Sequence, residues 1–406
     1  MVSGKVSASL ELLKILKDEG IEFYASFPDR WLAPLLVELD GDPGIIHVPA
    51  TIEREAMGIA VGAQLAGMRS ALVMQNSGIG NLLNDWASLA LNYRIPVPWI
   101  VSQRGSEGEH VETQKVWNGV LIDILSAARI PSEVCSSPAE LTRVVPVIRR
   151  GYKTQQSVAL LFPYFFWRDD LTVPRSDRPV RDSKSAVKVH PRNALLVSDA
   201  ETTLDDWRRY EALELIMRRL TDQFTFVNIG DPCKEVFEIR DRPENFYMLG
   251  SLGMLTPLGV GFSLAYTARG GRRKTVVLDG DGSQLMNLGA LGTFAQERPN
   301  MALFILDNGV HGSTGNQPSL TGATVDLEAV ARAVGVERAT TVGNRRDLER
   351  RLATVLGEPG PSLTVVKVRP GAPVTSLVNL TPLQIRDRFT AAVAASYRTT
   401  EAITGR

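Results

Sequence analysis

The stretch that most constrains the fold runs from Lys274 to Gln317, KTVVLDGDGSQLMNLGALGTFAQERPNMALFILDNGVHGSTGNQ. An apolar run, Val276-Val277-Leu278, turns through Gly280-Asp281-Gly282 into a segment with helical spacing. A second apolar run, Met301 to Leu306, ends at Asp307-Asn308. Short apolar runs bounded by turn residues, with a helix-length segment between them, predict strand, turn, helix, strand. That is the repeating unit of a parallel sheet, in which ligands gather at the carboxyl ends of the strands. Asp281 and Asn308 fall at two such ends. An acid after one strand and an amide after the next offer hard oxygens to a divalent cation, with the Val310 carbonyl as a third ligand. Beside a helix N-terminus and glycine amides, a metal held in this way makes a diphosphate site. The plain alternative is a glycine turn followed by an Asx-capped loop. Gly-Asp-Gly after one strand together with Asn at the end of the next favours the metal.

The same alternation fills the rest of the chain. Helical spacing over Leu10 to Lys17 stops at Gly20, and strands are predicted at Ile21 to Phe27, Ile45 to Val48, Ser70 to Met74, Val97 to Val101 and Val158 to Phe162. Helices are predicted over Trp31 to Leu39 and over Glu53 to Leu65, whose Ala and Gly content suits close packing. Arg168 to Asp205 is charged, Pro-bearing and without apolar periodicity, and reads as a linker over 168–205. A helix over Leu204 to Leu220 then opens a second series, with strands at Phe224 to Ile229, Phe246 to Met248, Thr275 to Leu278, Ala302 to Leu306 and Leu363 to Val368. The expected domains are 1–167 and 206–380, with a closing helix and tail over 381–406. The fold class is α/β, two parallel sheets with helices on both faces.

Composition excludes several classes. Lysine plus arginine and aspartate plus glutamate both number 45, so the net charge is zero and no nucleic-acid footprint is expected. No run approaches the roughly 20 apolar residues of a membrane helix, so no membrane partner is expected. Cys135 and Cys233 are the only cysteines, without a CxxC spacing, and fit reduced thiols of a cytoplasmic protein. The fragments Gly78-Ile79-Gly80 and Gly259-Val260-Gly261 begin a dinucleotide fingerprint, but Leu83 and Leu264 stand where its third glycine belongs.

The Gly-Asp-Gly and Asn pair resembles the signature of the thiamine-diphosphate-dependent enzymes, spaced as Asp281 and Asn308 are here. The resemblance covers nearly the whole chain. It implies a pyrimidine-binding domain followed by a diphosphate-binding domain, with the large middle domain of acetolactate synthase missing. Thiamine diphosphate and Mg2+ are the implied cofactors, with Gly280, Asp281, Gly282, Ser283 and Asn308 around the diphosphate and metal. The family places a glutamate on N1′ of the aminopyrimidine, and the interval from Glu53 to the helix glycine Gly62 selects Glu53 over Glu55. In NFYMLGSLGMLTPLGVG the resemblance makes Leu252 the apolar residue over which the cofactor bends, and Gly250 a carbonyl acceptor. Because the two domains of one site come from different subunits in the family, a homodimer or homotetramer with active sites at the subunit interface is implied.

The segments MQNSGIGN, FYMLGSLG and DNGVHGSTGNQ are similar to the sulfopyruvate and phosphonopyruvate decarboxylases, with their alpha and beta parts fused. The small-molecule substrate implied is a 2-oxo acid with an anion on C3. It is 3-sulfopyruvate first, going to sulfoacetaldehyde and carbon dioxide, with 3-phosphonopyruvate as the alternative. Asn287 and the STGNQ segment lean to the first, and Pro28-Asp29, His110 and His311 to the second. Such a substrate needs donors besides the cofactor. The candidates are Arg104, His110, His311, Asn76, Ser77 and Asn81, with Arg30 and Lys115 behind them. His110 and His311 could also relay a proton. Each is equally at home as a solvated surface group. His47 and His190 are expected to be structural or exposed. An alternative of another class is a non-catalytic, regulatory thiamine-diphosphate binder.

Overall fold

The computed structural model of the protein describes residues 7–168, 170 and 204–404. It divides into two compact units, the first within 1–188 and the second within 189–406 apart from a short exchange at Leu65–Gly67. Most of the expected linker, and His190, lie outside the described residues.

The first unit holds strands β1 Ile21–Ser26, β2 Ile46–Pro49, β3 Arg69–Gln75, β4 Pro98–Gln103, β5 Ser132–Val134 and β6 Val158–Pro163. They form one sheet in the order β2-β1-β3-β4-β6-β5, every pairing parallel. Parallel strands covered on both faces read as continuous apolar runs, and β4 and β6 are buried along their whole length. The helix Glu53–Leu65 buries Ala56, Ile59, Ala60 and Ala63. Its small side chains allow the approach at which Ser70 Oγ donates to the Ala60 carbonyl at 2.7 Å. Gly20 closes the first helix with φ +76°, a conformation that favours glycine.

The second unit holds β7 Phe224–Val227, β8 Asn245–Tyr247, β9 Thr275–Gly280, β10 Met301–Asp307, a two-stranded hairpin of β11 Val310–His311 and β12 Gln317–Pro318, then β13 Ala339–Val342 and β14 Ser362–Lys367. The main sheet runs β13-β14-β10-β9-β7-β8, again all parallel. Numbered within each six-stranded sheet and read from the other edge, this is the strand order of the first sheet. Both units are therefore the same doubly wound α/β plan, and each has a switch point beside its first strand. In such sheets that crevice is where ligands bind. At that place lie the ends of β1 and β3 in the first unit and of β7 and β9 in the second.

Two expectations are corrected. The helix expected from Leu204 begins at Arg209, because the preceding residues serve the sheet instead. Trp207 Nε1 donates to the Lys367 carbonyl at 2.9 Å and Asp205 N to the Gly343 carbonyl at 2.8 Å. The strand Ala339–Val342 was not expected at all. The closing helix is Pro382–Thr404, and its buried Phe389 meets Phe224, Phe226, Phe246 and Phe262 with ring centroids 5.2 to 5.6 Å apart. Among the described residues no helix is long and apolar enough to cross a membrane.

Candidate active site

Glu53 is the first residue of its helix and is 4% exposed. Its Oε2 accepts from Asn81 Nδ2 at 2.8 Å, so the amide expected to meet substrate instead holds the carboxylate. Glu55 is spent elsewhere, its Oε2 accepting from Thr51 N at 2.8 Å and from the Thr51 hydroxyl at 2.5 Å. That is a capping arrangement at the helix start. It leaves Glu53 as the carboxylate facing the helix Gly78–Asp85. Asn76, fully buried at the end of β3, donates from Nδ2 to the Arg104 carbonyl at 2.9 Å. Its Oδ1 is buried with no partner, an acceptor that a bound donor would satisfy. Ser77 Oγ accepts from Gln75 Nε2 at 2.6 Å.

Arg104 does not carry the free positive charge expected of it. Its guanidinium bonds Asp29 at 3.0 Å and Glu109 at 2.7 Å. Burial works against its charge, but Glu109 and Asp29 outweigh it and hold its pKa above the usual value. The hydrogen bond from Arg104 likewise brings the Glu109 carboxyl down to about 2. Asp29 also accepts from Ser102 Oγ at 2.9 Å and caps the turn through Trp31 N at 3.1 Å. The other oxygen of Glu109 takes the backbone N–H groups of His110 and Val111 at 3.1 and 3.2 Å. This network fixes the loop that carries His110, whose side chain is exposed. Lys115 is paired with Glu112 at 2.6 Å, whereas no carboxylate pairs with Arg30 among the described residues. His47 is buried between Ser26 and Asp40, each at 2.8 Å, and is structural.

In the second unit Asp281 follows β9 and starts the short helix Asp281–Leu285. Burial pushes its carboxyl up from the usual range. The Ser319 and Thr321 hydroxyls, at 2.5 and 2.9 Å from Oδ2, oppose this, while the charge of Asp307 adds to it. Thr321 Oγ1 lies 2.8 Å from Asp307 Oδ1 and so bridges the two acids. Lys367 Nζ answers Asp307 at 2.6 Å. A cation at Asp281 would relieve the raised carboxyl, and Asp281 with the Asn308 amide and the Val310 carbonyl is a hard-oxygen donor set suited to Mg2+. Among the described residues no group of three His, Cys, Asp or Glu side chains is placed to hold a metal. Asn308 Oδ1 also accepts from Val310 N at 3.1 Å, which turns the chain into the β11–β12 hairpin.

That hairpin brings His311 back over the glycine turn. A methyl group on Gly282 would lie 2.6 Å from His311 Cε1. Ser283 Oγ accepts from Gly253 N at 3.0 Å, and Asn287 Nδ2 donates to the Gly253 carbonyl at 3.3 Å. Thr256 Oγ1 donates to Gln284 Oε1 at 2.8 Å. These bonds lash the turn holding Gly250 and the half-buried Leu252 to the Gly-Asp-Gly corner. Sequence reasoning missed Asn228 at the end of β7, whose Nδ2 would lie 3.2 Å from a methyl on Gly280. It also missed Ser319, Thr321 and Lys367. No motif marks them: the β11–β12 hairpin returns Ser319 and Thr321 to Asp281, and the β10–β14 pairing sets Lys367 against Asp307.

Both units match known proteins. Residues 7–123 match the family described as thiamine pyrophosphate enzyme, N-terminal TPP binding domain, and residues 229–366 match its C-terminal TPP binding domain. A sulfopyruvate decarboxylase of Methanosarcina acetivorans is 29% identical over 95% of this chain and 97% of its own. A phosphonopyruvate decarboxylase of Streptomyces hygroscopicus is 34% identical over 90% of this chain and 88% of its own. Separate subunits also match. The sulfopyruvate decarboxylase beta subunit of Methanococcus maripaludis is 39% identical over 46% of this chain, and the alpha subunit of Methanothermobacter thermautotrophicus 41% over 40%. A solved thiamine diphosphate-dependent 4-hydroxybenzoylformate decarboxylase of Rhodococcus jostii superposes with a TM-score of 0.66 over 90% of this chain and 99% of its own, at 15% identity, which is a likeness of fold. The chain belongs to the thiamine-diphosphate-dependent family that contains the sulfopyruvate and phosphonopyruvate decarboxylases.

Proposed function

We propose that this chain decarboxylates a 2-oxo acid with an anion on C3, 3-sulfopyruvate first, to an aldehyde and carbon dioxide. The observation that carries this is the tethered, buried Glu53 in one unit and the Asp281–Asn308 corner in the other. Both lie in a chain similar to a sulfopyruvate decarboxylase almost end to end. When bound, thiamine diphosphate supplies the nucleophilic carbon and the electron sink. Glu53 would share a proton with the aminopyrimidine nitrogen, and Asn76 Oδ1, buried without a partner, would accept from a donor on the bound group. Asp281, Asn308 and Val310 would hold Mg2+, while Gly280, Gly282 and Ser283 would line the diphosphate. Leu252 would support the ring and Gly250 would offer its carbonyl to it. His311, held against Gly282, relays a proton to the reacting carbon.

Arg104 is neutralised, so Arg30 and His110 meet the C3 anion. The second reading, 3-phosphonopyruvate, is favoured by the Streptomyces relatives. Relatives include separate alpha and beta subunits, each matching less than half of this chain. These separate subunits support a homodimer or homotetramer with sites at the subunit interface, and the domain limits we infer are 1–167 and 206–380. Two buried free thiols suit a cytoplasmic enzyme. The test is Glu53→Gln. It should bind thiamine diphosphate with Mg2+ and lose turnover, and an active variant would remove Glu53 from the mechanism.

A further inference from the structure

Two neighbouring residues at the start of the helix Glu53–Leu65 reach one face of the helix Gly78–Asp85. Arg54 Nε and Nη2 bond the Asp85 carboxylate at 2.9 and 3.3 Å. Glu53 Oε2 takes Asn81 Nδ2 at 2.8 Å. Asn81 and Asp85 are one helical turn apart and share a face. The links differ in kind. Asp85 is buried, and its ion pair clamps the helices together. Asn81 is exposed, yet its amide turns to a buried carboxylate. Gly78 confines the same carboxyl from below, since a methyl group there would lie 2.6 Å from Glu53 Oε1. Among the described residues, Asn81 is the side chain that donates to Glu53.

We propose that Asn81 is a positioning residue for Glu53. By holding Oε2 it stops the carboxyl from rotating and presents Oε1 to the ring nitrogen of the cofactor. The inference rests on Glu53 being the group that shares a proton with that ring. Asn81 neither gains nor loses a proton. It sets the direction in which a lone pair points, and a misplaced reacting group costs rate steeply. Asn81→Asp keeps the shape but opposes two carboxylates, whereas Asn81→Gln keeps a donor amide on a longer arm.

The test is a double-mutant cycle on the full chain, read by calorimetry with thiamine diphosphate and Mg2+ and by steady-state kinetics. Asn81→Ala should lower kcat by roughly 10- to 100-fold with substrate KM within about threefold. It should weaken thiamine diphosphate binding severalfold in the wild-type background and leave it unchanged in Glu53→Gln, because the pair acts as one unit. Asn81→Gln should recover part of kcat, and Asn81→Asp should fall below Asn81→Ala. Additive losses of affinity would overturn the inference, as would a KM raised at constant kcat, which would make Asn81 a substrate donor. If the wild-type chain bound no thiamine diphosphate, the cofactor reading itself would fail, and this inference with it.

Discussion

Gly78 and Glu53 are in such close register that a methyl group on the glycine would lie 2.6 Å from Oε1 of the glutamate. The backbone of one helix thus forms the wall against which the buried carboxyl of another is set. Gly78→Ala should therefore cut kcat by about 100-fold or more while the circular dichroism spectrum stays that of the wild type. Gly119→Ala is the control. Its added methyl meets nothing within 4 Å, and stability should rise by about 0.5–1 kcal/mol with kcat unchanged.

The pairing of Arg104 with Glu109 makes the first unit sensitive to acid. The folded-state pKa of Glu109 is depressed from 4.5 to about 2. A depressed carboxyl contributes stability that is complete above its unfolded value and is lost as pH falls through the folded value. The window is therefore about pH 4.5 down to 2. Glu109→Gln should flatten the fall of Tm across that window and leave its pH dependence above pH 5 unaltered.

Thr321 Oγ1 lies within hydrogen-bond distance of both Asp281 and Asp307, so Thr321→Val removes the single hydroxyl proton for which the two buried acids compete. Calorimetric denaturation should show a loss of about 1–3 kcal/mol. Asp281→Ala should instead weaken thiamine diphosphate binding at least roughly 10- to 100-fold, as losses in a metal's coordination sphere do. Chelation of Mg2+ should abolish binding in the wild type and change little in the variant.

Phe389 anchors the closing helix among four rings of the second unit. Phe389→Ala should cost about 3–5 kcal/mol, seen as a lowered denaturation midpoint. A smaller loss would mean that the rings collapse into the space.

Much of the fold was legible because buried parallel strands are continuous apolar runs. Val276 to Leu278 and Met301 to Leu306 show this, and both fall inside the observed strands. Ala339–Val342 was not legible. It is an edge strand paired only with β14, and its central threonines give it no apolar run. Leu204 and the residues after it looked helical, yet Trp207 is spent on the end of β14. In the candidate site, residues of one local motif such as Asp281 and Asn308 are proposed together from their spacing alone. Arg104 could not be read with Asp29, since the sheet order alone brings the end of β1 to the loop after β4. The same holds for Asn228 beside Gly280.

Among the described residues Arg30, which follows β1, is paired with no carboxylate. Arg30→Ala should raise KM for sulfopyruvate by about 10-fold or more, with kcat within a few-fold, the pattern of lost ground-state binding. An unchanged KM would move the C3 anion to His110.

The central claim is decarboxylation, and the most direct measurement is aldehyde formation. The purified chain, with Mg2+ and thiamine diphosphate, is given 3-sulfopyruvate, 3-phosphonopyruvate and pyruvate in separate reactions. The account predicts sulfoacetaldehyde with the highest kcat/KM, and pyruvate far behind because it lacks the C3 anion. No aldehyde from any of the three, with thiamine diphosphate bound, would contradict it and leave a cofactor-binding protein of another role.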